Sequence, residues 1–80
     1  MKLNLKYFGL IAELMNTSEL DLEVSSGISV GELKSNLING NQELERISFS
    51  VAVNQQMVAD DSFTCNENDE VALFPPFAGG

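Results

Sequence analysis

The sequence predicts an α+β domain in which one main helix and one short helix pack against a mixed sheet. Three observations support this class. Apolar and polar residues alternate near both ends and in the middle of the chain, a well-capped helical segment lies between them, and a length of 80 residues suits one small domain. We expect residues 1–75 to form the domain and residues 76–80 to form a flexible C-terminal tail.

The first part of the chain predicts two strands joined by a short helix. Leu3, Leu5 and Tyr7 alternate with polar residues, which is typical of a strand with one buried face. Gly9–Met15 predicts the helical connection. Leu20 and the apolar residues at 22 and 24 then alternate with acidic residues in a second strand, which we expect to pair antiparallel with the first.

The main helix has clear signals at its two ends. Ser29 and Glu32 form the spacing of a capping box, and apolar residues at 30, 33, 37 and 38 follow at helical intervals. Asn39 and Gly40 predict the end of the helix. The polar segment 41–46 predicts a loop.

The second half predicts a strand, a short hairpin partner and a last strand. Phe49, Val51 and Val53 alternate with small residues, and 54–56 predict a turn into the partner at 57–58. Segment 60–69 predicts irregular structure. Val71 and Leu73 mark the last strand, which two prolines end because they donate no N–H. We expect the first and last strands to pair in parallel at the centre of the sheet.

Alternation also predicts a docking surface. If Tyr7 and Leu73 face the helix, Phe8 and Phe74 lie on the opposite face, beside the start of the tail. Only small residues of the third strand lie nearby, so the two rings would form an exposed patch suited to a protein partner. An alternative remains open, in which Phe8 packs under the short helix.

Composition excludes several function classes. The net charge of −8 disfavours nucleic acid and anionic membranes, and it suits either basic protein partners or simple solubility. The absence of histidine and the single cysteine, Cys65, leave no pattern for a metal site or a disulfide. We expect a cytoplasmic protein that binds no metal or cofactor itself.

The tail is the strongest candidate for chemistry. Pro75 and Pro76 favour an extended backbone, and Gly79 and Gly80 carry no Cβ, so a narrow channel in another protein could close around them. We expect the carboxylate of Gly80 to be the reacting group. Reaction with ATP would give an acyl-adenylate, from which an amide, a thioester or a thiocarboxylate could form.

The ending Phe74-Pro75-Pro76-Phe77-Ala78-Gly79-Gly80, with Tyr7-Phe8-Gly9, Val51-Ala52-Val53-Asn54 and Asn68-Asp69-Glu70-Val71, resembles the small subunit of molybdopterin synthase. The chain departs from the family at Ala12, where many relatives have arginine, and at Asn16, where many have glycine. Phe77-Ala78 replaces the commoner Val-Ser or Val-Thr.

The resemblance implies a ubiquitin-like β-grasp fold and a sulfur carrier cycle. A ubiquitin-activating-like enzyme would use ATP to adenylate Gly80, and a sulfur donor protein would supply the sulfur of the thiocarboxylate. The large synthase subunit would then accept the tail, and sulfur would pass to a cyclic pterin precursor of the molybdenum cofactor. Carried over by residue, Gly80 bears the sulfur, while the partner-binding residues are Phe8, Phe74, Pro75, Pro76, Phe77, Ala78 and Gly79.

The resemblance further implies that the chain is not an enzyme by itself, but the sulfur-donating subunit of a heterotetrameric sulfurtransferase. Three other functions share its features and stay open. One is a ubiquitin-like modifier joined to lysines of other proteins, and another is a sulfur carrier for a different thiolation pathway. The third is a plain β-grasp adaptor whose tail is inert.

Overall fold

The computed structural model describes residues 1–75, which form a five-stranded mixed sheet in the order β2-β1-β5-β3-β4. The strands are β1 (Lys2–Tyr7), β2 (Glu19–Glu23), β3 (Ser50–Val53), β4 (Gln56–Val58) and β5 (Glu70–Phe74). The helices are α1 (Gly9–Met15), α2 (Val30–Gly40) and a 3₁₀ helix at Gln42–Arg46. The parallel pairing of the first and last strands is confirmed, and the remaining pairs are antiparallel.

The core lies between the sheet and α2. Burial alternates along β1, where Leu3, Leu5 and Tyr7 are buried and their neighbours are not. From the helix, Val30, Leu33 and Leu37 pack into the same cluster, as do the helix-facing residues of β3 and β5. The opposite face of the sheet carries no helix in residues 1–75.

The predicted capping box of α2 is present. The Ser29 hydroxyl accepts a hydrogen bond from the Glu32 backbone N–H at 3.1 Å, and the Glu32 carboxylate accepts one from the Ser29 N–H at 3.1 Å. These contacts satisfy donors at the helix start that have no partner within the helix. The C-terminal end differs slightly from the prediction. The helix includes Gly40 and stops at Asn41, whose φ of −150° is extended.

The prediction of a polar loop at 41–46 was wrong. Gln42–Arg46 is a 3₁₀ helix, and Leu44 within it is completely buried. The Asn41 side chain starts this turn by accepting a hydrogen bond from the Glu43 N–H. A single apolar residue among polar ones has no periodicity, so alternation could not reveal this element.

The predicted turn between β3 and β4 is present, but it consists of Asn54 and Gln55, and Gln56 already belongs to β4. Asn54 and Gln55 have φ values of 50° and 70°, as a two-residue hairpin turn of matching twist requires. The Asn54 side chain also donates to Asp69 and accepts from the Glu70 N–H, both at 3.0 Å. This network fixes the hairpin to the beginning of β5.

Strand β2 lies at one edge of the sheet. Leu20 pairs with Leu5 on the helix side but remains 41% exposed, since α2 does not cover this edge. At the end of α1, Asn16 has a left-handed φ of 58°, a conformation that asparagine tolerates in place of glycine. In residues 1–75 no helix has the length and apolar character needed to cross a membrane.

Candidate functional site

Phe8 and Phe74 stack on one another where β1 and β5 end. Their ring centroids are 4.8 Å apart and their planes differ by 6°. The parallel register that pairs Tyr7 with Leu73 brings the next residue of each strand together, and the Phe8 N–H donates to the Leu73 carbonyl. Phe8 remains 43% exposed, so the stack forms an aromatic surface open to solvent.

The predicted placement of these two rings is confirmed. Their neighbours Tyr7 and Leu73 face the core, and Phe8 is not part of the core cluster, so it does not pack under α1 as the alternative required. Pro75 follows directly and is half-buried. Pro76, Phe77, Ala78, Gly79 and Gly80 lie outside the described residues.

Gly9 determines where the chain leaves the domain. It has a φ of +56°, and a Cβ at this position would lie 3.0 Å from Cγ of Pro75. A side chain here would be strained and would press on the proline ring. The missing side chain therefore allows Pro75 to lie against the turn between β1 and α1. Gly9 is not among the predicted site residues. The feature of the sequence that indicates it is a glycine placed between a strand and a helix.

Two buried alanines connect this stack to the exposed Met57 across the sheet. Ala72 pairs with Ala52, and Ala52 pairs with Met57 on β4, so these three lie in one row on the helix-free face. Met57 is 64% exposed, and Ser50 stands opposite Phe74. We call Phe8, Phe74, Ala72, Ala52 and Met57 the aromatic patch. Met57 is an addition to the predicted site, because the hairpin register was needed to place it.

Acidic side chains lie beside the aromatic patch on the same face. Glu19, Asp21 and Glu23 pair with the outward-facing residues of β1. Lys6 forms an ion pair with Glu70 at 3.2 Å, and Asn4 donates to both Glu19 and Asp21 at 3.1 Å. The helix-free face therefore has an apolar half and an acidic half.

Within residues 1–75 the titratable side chains show no arrangement suited to catalysis. Burial raises the pKa of the Cys65 thiol, and the nearby Asp69 charge raises it further, so the nucleophilic thiolate is disfavoured at neutral pH. Hydrogen bonds from Ser62 lower the pKa of the exposed Asp60. In the part of the chain that the structure describes, no group of three or more histidine, cysteine or acidic side chains could hold a metal ion.

Known proteins share both the sequence pattern and the fold. A molybdopterin synthase sulfur carrier subunit from Chlamydomonas reinhardtii is 28% identical over 83 residues, covering 100% of both chains. The crystal structure of SAMP1 from Haloferax volcanii matches with a TM-score of 0.82 and 26% identity, covering 100% of both chains. One chain in the protein–protein complex of subunits 1 and 2 of the molybdopterin-converting factor from Helicobacter pylori also matches. Its TM-score is 0.72 and its identity is 21%, with 100% coverage of both chains.

These likenesses confirm the β-grasp fold, and they agree with the resemblance stated above. The model of the ThiS family matches residues 5–80, which is nearly the whole chain and includes the tail. The chain therefore belongs to the ThiS family.

Proposed function

We propose that this protein is the sulfur carrier subunit of molybdopterin synthase, and that its carboxylate at Gly80 carries the sulfur. The observation that carries this proposal is the family match through residue 80, over the ending Phe74-Pro75-Pro76-Phe77-Ala78-Gly79-Gly80. The name of the Chlamydomonas reinhardtii relative gives further support.

The chemistry follows from the poor reactivity of a carboxylate. An adenylating enzyme would let the Gly80 carboxylate attack the α-phosphate of ATP, releasing pyrophosphate and forming an acyl-adenylate. Sulfide-level sulfur supplied by a donor protein would then attack the acyl carbon and displace AMP, leaving a thiocarboxylate. The thiocarboxylate sulfur would bond to a carbon of a cyclic pterin precursor, and water would hydrolyse the resulting thioester, which leaves the sulfur on the pterin and returns the Gly80 carboxylate. The domain itself would need no bound cofactor, because the adenylating partner uses the ATP.

The aromatic patch and Pro75 are suited to dock the domain while the tail enters a partner. The Phe8–Phe74 stack lies directly beside the start of the tail, so contact there would fix the distance from the docked body to Gly80. Docking residues of this kind concentrate binding free energy in a few buried aromatic contacts. The complex from Helicobacter pylori supports the large synthase subunit as one such partner.

The acidic half of the same face would require basic side chains on the partner. Glu19, Asp21 and Glu23 would meet basic side chains next to an apolar contact area. Complementary charge of this kind speeds encounter and fixes orientation. The same surface would serve the adenylating enzyme and the large subunit in turn, in the cytoplasm.

Removal of Gly80 tests the proposed chemistry. The shortened chain should stay folded by circular dichroism, yet it should gain no sulfur-for-oxygen mass increase and support no sulfuration of the pterin precursor. Normal sulfuration by this variant would exclude Gly80 as the carrier. Phe8→Ser should weaken adenylation, whereas Phe63→Ser should not, although both rings are 43% exposed.

A second candidate function is a protein modifier. Its support is the structural likeness to SAMP1, a small archaeal modifier protein. The same activated carboxylate would then form an isopeptide bond with a lysine amine and release AMP. Mass spectrometry of cellular proteins decides between the two, because only the modifier leaves lysines joined to Gly80.

A further inference from the structure

A groove separates the edge strand β2 from the C-terminal half of α2, on the side of the sheet away from the aromatic patch. It has a volume of about 300 Å³ and is mostly apolar. Its lining includes Tyr7, Met15, Leu20, Leu22, Leu37 and Gly40. The groove exists because α2 leaves Leu20 exposed, although this leucine points to the core side of the sheet.

Strand β2 offers unpaired backbone groups along this groove. Met1 and Val24 exchange both of their backbone hydrogen bonds, at 2.8 and 3.0 Å. In an antiparallel pair such residues alternate with residues whose backbone groups point away. The N–H and C=O groups of Asp21 and Glu23 therefore face outward, and no backbone group within residues 1–75 pairs with them. Those of Glu19 are already bonded to the Thr17 hydroxyl.

The charges of β2 restrict which segment could use this edge. Glu19, Asp21 and Glu23 alternate with Leu20 and Leu22 along the strand. In a strand added at this edge, each side chain would lie opposite one of these residues, about 4.5–5.5 Å away between Cβ atoms. A second copy of the same acidic strand would be repelled. The fitting segment places basic residues opposite the acids and aliphatic residues opposite the leucines.

The groove floor also contains a polar atom without a partner. Tyr7 is 2% exposed, and its hydroxyl makes no hydrogen bond within residues 1–75. Buried hydroxyl groups are usually hydrogen-bonded. This hydroxyl is closed off from solvent, so a ligand in the groove would bond to it only after neighbouring side chains move.

We propose that β2 and this groove bind an extended polypeptide segment in which Lys or Arg alternates with Val, Ile or Leu. The segment adds a sixth strand to the sheet of five. Its backbone pairs with Asp21 and Glu23, its aliphatic side chains enter the groove, and its basic side chains lie opposite the acids. The site shares the acids of β2 with the acidic half described above, whereas its groove lies on the opposite face of the sheet from the aromatic patch.

The test uses a blocked synthetic peptide of about seven residues that alternates lysine and valine, the length of one strand. The full ¹⁵N-labelled chain is titrated with it and followed by NMR and calorimetry. We expect the amide protons of Asp21 and Glu23 to become protected from exchange, and we expect binding to weaken in high salt. A peptide with glutamate in place of lysine should not bind.

Two matched variants test whether the peptide binds in the groove. Leu20→Ser should raise the Kd about tenfold, since it removes a leucine side chain from the contact. Phe63→Ser, at a residue of nearly equal exposure (43% against 41%), should leave the Kd unchanged. Leu20→Ser should also keep normal sulfur loading at Gly80, which separates this proposal from the proposed function.

Several outcomes would overturn the proposal. They are an unchanged Kd in Leu20→Ser, exchange protection at β4 instead of β2, or no binding at all. Leu20-dependent self-association of the chain would make a second copy the occupant. Tighter peptide binding after removal of residues 76–80 would make the tail the occupant.

Discussion

Pro75 lies so close to Gly9 that a Cβ at position 9 would be only 3.0 Å from the proline Cγ. The contact joins the last described residue of the domain to the turn after β1. It fixes the path of the chain immediately before the proposed carrier tail.

Replacement of Gly9 by alanine should therefore destabilise the domain. The left-handed φ of +56° costs a residue with a side chain about 1–2 kcal/mol. We expect a lower free energy of unfolding in urea. Gly40→Ala is the matched control, because Gly40 is helical and has open space around it. That change should be neutral or stabilising by about 0.5 kcal/mol. An equal loss of unfolding free energy in both variants would contradict the proposed strain at position 9.

The stacked rings should be energetically coupled. In a double-mutant cycle of Phe8→Ala and Phe74→Ala, we expect a coupling free energy of about 0.5–1.5 kcal/mol, as aromatic pairs give. A second cycle with Phe8→Ala and Phe63→Ala should give a coupling below about 0.5 kcal/mol, since Phe63 forms no stack in residues 1–75. Additive effects of Phe8 and Phe74 would show that the stack contributes nothing to the folded state.

Leu44 should be essential for folding despite its polar neighbours. Its side chain is completely buried, so Leu44→Ala should lower the free energy of unfolding by about 2–5 kcal/mol. Leu10→Ala, at a leucine that is 52% exposed, should change it by less than about 0.5 kcal/mol. Denaturant unfolding measures the free energy of unfolding of both variants. A small loss at Leu44 would mean that the 3₁₀ helix is not anchored in the core.

Cys65 and Tyr7 should make the protein less stable in alkaline solution. Burial raises the pKa of both groups, so the folded state holds these protons more tightly than the unfolded chain does. Their contribution to the free energy of unfolding is fully present below the ordinary thiol pKa of about 8.5. It is lost as the pH rises through the pKa values of the two groups in the folded state. Urea unfolding at rising pH measures this loss.

The matched variant for that experiment is Cys65→Ala. It should be less stable at neutral pH because a buried side chain is shortened, but it should show a weaker alkaline decline. Rapid alkylation of Cys65 in the folded protein at neutral pH would contradict the raised pKa, since only the thiolate reacts quickly.

The local pattern of apolar and polar residues was sufficient to predict most of the strands and helices. Alternation located β1, β3 and β5, and the Ser29–Glu32 spacing located the start of α2, because each signal lies within a few neighbouring residues. The same alternation put Phe8 and Phe74 on one face, and the stack confirms it. The pattern could not reveal the 3₁₀ helix, since Leu44 alone carries no periodicity.

The sequence by itself determined which residues alternate, where α2 begins, and that Pro75 and Pro76 precede Gly79 and Gly80. Only the tertiary structure decided that Gly9 meets Pro75, that Met57 extends the aromatic patch, and that a groove stays open beside β2. The reason is physical. Strand and helix preferences are set by neighbours along the chain, whereas these contacts depend on strand register and on how far α2 extends over the sheet.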